Sequence, residues 1–110
     1  MIKTIGLLRA RPEMSREAFA RYWLEVHAPK SLAVPGIRRY VQKHILQERP
    51  PRHDLASIDA RIDGFVEMWY DSQADFERAS QSPELQALHQ DGTVFLSGFK
   101  GYIIEEKVII

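Results

Sequence analysis

Residues Phe19 to Pro29 read Phe-Ala-Arg-Tyr-Trp-Leu-Glu-Val-His-Ala-Pro, a run of aromatic side chains that ends on one histidine. An imidazole titrates near pH 6.5, so His27 has both protonation states within reach at neutral pH and can take or give a proton. On a helix advancing about 100° per residue from Phe19, Val26 falls near 340°, Tyr22 near 300°, Trp23 near 40° and His27 near 80°. His27 thus stands at the edge of the apolar arc. A pocket lined with rings yet open to solvent at that edge suits proton transfer on a small organic molecule. The competing reading is a packed helix end that the same histidine caps.

Tyr22, Trp23, Tyr40, Phe65 and Trp69 are the rings that can build a slot for a flat, conjugated ligand. Each of them also reads as core, and Tyr22 and Trp69 are the two expected to reach a cavity. Glu67 shares a strand face with Phe65 and Trp69, and a carboxylate enclosed there without a partner is costly. It either pairs with an arginine, from Arg9 and Arg11 or from Arg38 and Arg39, or carries a raised pKa suited to acid–base work. His44, His53 and His89 read as surface or loop residues. His53 with Asp54 offers two adjacent ligands, short of the three or four that a metal usually takes, so no metal site is expected.

These side chains must be positioned by a short list of elements. Ile2 to Leu8 reads as a strand that Pro12 stops, and Ser15 with Glu17 opens a helix that runs to about His27, ahead of Pro29. After Pro35-Gly36, Ile37 to Leu46 reads as a second strand. Gln47 to Asp63 is polar and contains Pro50-Pro51, which predicts a long loop with a short helical turn around Leu55 to Ala60. Gly64 to Tyr70 is the clearest strand, with Phe65 and Trp69 on one face and Val66, Met68 and Tyr70 on the other. Ser72 to Ser80 and Pro83 to Asp91 follow as helices. Phe99 to Ile110 closes the chain as a strand.

The order β-α-β-β-α-β predicts an α+β, ferredoxin-like fold over residues 1–110 as one domain, with helices on one face of a four-stranded antiparallel sheet. Both Gly64 to Tyr70 and Phe99 to Ile110 are apolar on two sides, so the uncovered face is expected to meet a second copy and close a dimeric α+β barrel. A monomer with loop Gln47 to Asp63 folded over that face is the alternative. Fifteen Lys and Arg balance fifteen Asp and Glu, which argues against nucleic acid and anionic membranes as partners. There is no cysteine, hence no disulfide, thiolate nucleophile or iron–sulfur cluster. No apolar run of roughly 18 residues and no signal pattern is present, and a cytoplasmic protein is expected.

Ser15-x-Glu17-x-Phe19-x-x-Tyr22-Trp23-x-x-x-His27-Ala28-Pro29, Pro35-Gly36-Ile37-Arg38-Arg39-Tyr40, Asp63-Gly64-Phe65-Val66-Glu67-Met68-Trp69-Tyr70, Ser82-Pro83-Glu84 and Asp91 together resemble the EthD domain family of dimeric α+β barrels. The resemblance spans essentially the whole chain, and its most specific part is Tyr-Trp-x-x-x-His-x-Pro. Relatives in the broader group include methylmuconolactone methylisomerase, polyketide cyclases and cofactor-independent quinone-forming monooxygenases, while the founding members accompany a cytochrome P450 system in alkyl ether degradation. The resemblance implies proton transfer at His27. It also implies a second catalytic position on the strand of Met68 and Trp69, a cysteine in the methylisomerases that this chain lacks. Three classes follow: a cofactor-free enzyme acting on an aromatic, lactone or polyketide-like compound, an accessory or binding protein for a partner oxygenase, and a non-covalent haem binder. A poised His27 marks the first, a pocket without titratable groups the second, and a visible absorbance band on haem titration the third.

Overall fold

The β-formers at the N-terminus make β1 (Ile2–Ala10) of a computed structural model that describes residues 1–110. Ser15 accepts a hydrogen bond from the Ala18 N–H and starts α1 (Arg16–Arg21), which passes without a break into a π-helical segment (Tyr22–His27) and α2 (Ala28–Ser31). β2 (Arg39–His44), β3 (Gly64–Tyr70), α3 (Gln73–Ser80), α4 (Pro83–Phe95) and β4 (Leu96–Ile104) complete the chain. Ser72 and Ser82 cap α3 and α4 in the way Ser15 caps α1, and Pro83 takes the first turn of α4, where its missing N–H costs nothing. The sheet order is β2-β3-β1-β4, antiparallel throughout. This is the α+β, ferredoxin-like arrangement.

Alternation along the strands sorts the residues between the two faces. Leu8, Ala10 and Val66 pack with Phe19, Trp23 and Phe95 in one core cluster, and Tyr70 packs with Val34, Ala79, Leu85 and Leu88 in a second. The opposite face therefore carries Lys3, Ile5 and Leu7 of β1 and Phe65, Glu67 and Trp69 of β3. Every residue from 46 to 61 is exposed, so the long loop does not cover that face.

Several boundaries differ from expectation for identifiable reasons. The first helical run does not end at His27. Its π segment, in which the Ala28 N–H bonds to the Trp23 carbonyl five residues back, widens the backbone before Pro29 and relieves the clash that a proline ring makes with the carbonyl four residues earlier. No helical turn forms between residues 55 and 60. α4 continues past Asp91 to Phe95 and feeds β4 directly. β4 stops at Ile104 rather than Ile110, because Ile104 already pairs with Lys3 near the start of β1 and residues beyond it have no strand to bond.

Candidate functional site

An i→i+5 turn takes about one residue more than an α turn, so the chain rotates less per residue after Tyr22 and His27 swings from the edge of the apolar arc into it. The ring of His27 comes to rest 4.9 Å from that of Phe95, and the residue is 9% exposed. Its Nδ1 lies 2.7 Å from Oδ2 of Asp91. The other carboxylate oxygen of Asp91 accepts from the Tyr22 hydroxyl and the Lys30 ammonium, each at 2.7 Å. Asp91 occupies the buried stripe of α4 with Leu85, Leu88, Gly92 and Phe95, a spacing of three and four residues.

Burial alone pushes the Asp91 carboxyl up, but the bonds from Lys30, His27 and Tyr22 outweigh it and bring the pKa down to about 2. Asp91 is thus an anion at any ordinary pH. Burial lowers the His27 imidazole below its usual value against the opposing pull of Asp91, and the charges of Lys30 and His89 add to the lowering. His27 is consequently neutral near pH 7. A carboxylate only accepts, so the proton of neutral His27 sits on Nδ1 and leaves Nε2 as a free base. No hydrogen bond within the chain occupies Nε2.

His27 forms part of the wall of a cavity of about 340 Å³, large enough for a bicyclic organic molecule. Tyr40, Val66 and Met68 supply the sheet side, Leu88, His89, Gly92 and Thr93 the α4 side, and Leu96 to Phe99 the entry into β4. The cavity therefore lies between the sheet and α4, reached by His27 from the end of the π segment. A second hollow of about 310 Å³ shares Val66, Met68, His89 and Phe99 with it. Phe99 lies against Gly6, where an added Cβ would sit 2.6 Å from its ring.

Of the residues expected to line a binding slot, only Tyr40 stands in this wall with His27. Tyr22 lies behind the histidine and holds Asp91, and its own hydroxyl is harder to ionise because of burial and that bond. Trp23 is wholly buried between Phe19 and His44. Phe65, Glu67 and Trp69 are on the sheet face away from the helices, since the β1–β3 register puts them there with Lys3. Glu67 is paired, with Lys3 at 2.7 Å and Lys43 at 3.5 Å rather than with an arginine. Its carboxyl is held below the usual range by the Lys3 bond. Arg9 bonds Ser97, Arg11 the Thr93 carbonyl and Arg38 Asp71, while Arg39 lies over the Trp69 ring. His44 is half-buried and not a surface residue, and His89, exposed on α4, forms part of the cavity rim. No group of three or more His, Cys, Asp or Glu is placed to hold a metal ion.

Asp91, Lys30 and His89 were not singled out as site residues from sequence. Asp91 carried a usable signal, a carboxylate at an apolar position of a helix, which needs a buried partner. Ending α4 at that residue concealed it.

Fold and site together define a ferredoxin-like α+β protein with a buried histidine–aspartate pair at a cavity between sheet and helix. Residues 11–98 match the EthD domain, and the chain belongs to that family. The 4-carboxymethyl-4-methylbutenolide mutase of Pseudomonas reinekei is 28% identical over 98% of this chain and 100% of its own length. An EthD family protein from Bacillus halodurans has a similar structure, with a TM-score of 0.75 and 23% identity over 97% of this chain and 100% of that one. A dimeric ferredoxin-like protein from Thermobifida fusca gives a TM-score of 0.67 at 16% identity, covering 94% of this chain and 88% of that one. At such identities these two likenesses concern the fold alone. No helix is long and apolar enough to cross a membrane.

Proposed function

We propose that this EthD protein is a cofactor-independent enzyme that moves a proton on a small lactone, aromatic or polyketide-like compound, with Nε2 of His27 as the base. The observation that carries this reading is the Nδ1–Asp91 bond of 2.7 Å, which leaves the opposite ring nitrogen free on a histidine in the cavity wall. Removal of a proton beside a carbonyl places it on Nε2, and its return at another carbon of the same conjugated system gives an isomer. Asp91 orients the ring and stabilises the imidazolium formed on the way. The mutase relative supports a lactone as the substrate class. Because the chain has no cysteine, a step that needs a protein thiol is not part of the proposal.

The test is incubation with 4-carboxymethyl-4-methylbutenolide in deuterium oxide. Deuterium should enter the lactone in the presence of the wild type and not of His27→Asn. Binding without exchange would instead favour the accessory or binding class.

The same reading includes a two-fold dimer through the sheet face away from the helices, which carries Ile5, Leu7, Phe65 and Trp69 and leaves Tyr102 44% exposed. The dimeric neighbour supports it. Sedimentation should give twice the chain mass of 12.7 kDa, and a stable monomer at micromolar concentration would remove the dimer.

A further inference from the structure

Tyr40, Gln42 and His44 alternate onto the helix-facing side of β2, and the hydrogen bonds among them have a direction. Nε2 of Gln42 donates to the Trp23 carbonyl at 3.0 Å and to the Tyr40 hydroxyl oxygen at 2.9 Å. A carbonyl oxygen only accepts, so the Gln42 atom that faces Trp23 must be its NH2 group. The second hydrogen of that group then belongs to the Tyr40 oxygen. Oε1 of Gln42 is left facing Nε2 of His44 at 2.8 Å, and since an amide oxygen accepts, His44 must carry its proton on Nε2. The His44 ring is held in place against Trp23, with ring centroids 4.4 Å apart, and burial keeps it neutral by lowering its pKa.

The Tyr40 oxygen thus accepts from Gln42, while nothing within the chain accepts the Tyr40 proton. Tyr40 shares the wall of the cavity that His27 enters. We propose that Tyr40 is a one-way hydrogen-bond donor that selects ligands bearing a carbonyl or carboxylate oxygen, with Gln42 and His44 as the positioning residues that aim it. The proposal deepens the reading above and rests on the same cavity, though not on proton transfer by His27. It names the substrate feature that the cavity reads. A donor at the carbonyl oxygen also stabilises the negative charge that grows there when an adjacent proton is removed.

The test uses the whole protein with two probes, phthalide, which carries a lactone carbonyl, and phthalan, the same bicycle with CH2 in its place. Calorimetry on the wild type, Tyr40→Phe and Gln42→Leu is combined with long-range 1H–15N correlation of His44 in the wild type, which needs no variant. The wild type should bind phthalide at least about tenfold tighter than phthalan, Gln42→Leu should narrow the gap and Tyr40→Phe should close it. The His44 proton should be on Nε2. A proton on Nδ1 of His44, equal or absent binding of both probes by the wild type, or a preference that survives Tyr40→Phe would overturn the proposal. His27→Asn should keep the phthalide preference. Loss of deuterium exchange with that preference intact therefore separates the two readings, and absence of exchange in the wild type beside an intact preference refutes only the first.

Discussion

Replacing His27 by asparagine should lower turnover of a proton-transfer substrate by about 10² to 10⁴-fold, the usual cost of losing a positioned general base. Asparagine is the informative choice because its amide nitrogen takes the place of Nδ1 and can still donate to Asp91, whereas alanine would leave a gap beside Phe95 and remove one of the three donors to a buried carboxylate. Alanine would also disturb folding, since the residue is only 9% exposed. The pH dependence follows from the lowered His27 pKa. The base must be neutral to act, so kcat/KM should rise with pH through the His27 pKa and level off, with the rising limb below pH 6.5. Steady-state rates for both proteins, with circular dichroism as the folding control, check the result.

Trp23→Ala should destabilise the chain by about 3–5 kcal/mol, a large part of the 5–15 kcal/mol that holds a typical domain together. Trp23 is 0% exposed and touches Phe19, with ring centroids 5.5 Å apart, and His44 at 4.4 Å. Its indole also occupies the space above Gly64, where an added Cβ would meet the ring at 2.6 Å, so β3 has no side chain there with which to fill the hole. The ring's removal thus leaves a cavity bounded by a glycine. Urea unfolding measures the loss, and a change under 1 kcal/mol would show that Trp23 is not a core element. The residue acts on the site only indirectly, through the carbonyl that holds Gln42.

The sheet was legible because its signals are local. Gly64 to Tyr70 carries β-forming residues on both faces, and Ser15, Ser72 and Ser82 announce their helices one residue ahead. Of the candidate site's cavity wall, only His27 and Tyr40 were named as site residues from sequence. A wheel at a constant 100° per residue has no place for a π turn, and that turn moves His27 from the edge of the apolar arc to its centre. Strand register was equally out of reach. Its effect is to bring Lys3 and Lys43, not any of the four candidate arginines, to Glu67, and to carry Phe65 and Trp69 to the far side of the sheet. Asp91 pairs with His27 across 64 residues, a contact that no local pattern specifies.

Nitrogen-15 titration of the His27 ring is the measurement that bears most directly on a free base held by Asp91. It should show a neutral ring at pH 7 with the proton on Nδ1 and a midpoint below 6.5. A proton on Nε2, or a ring still charged at pH 7, would contradict it.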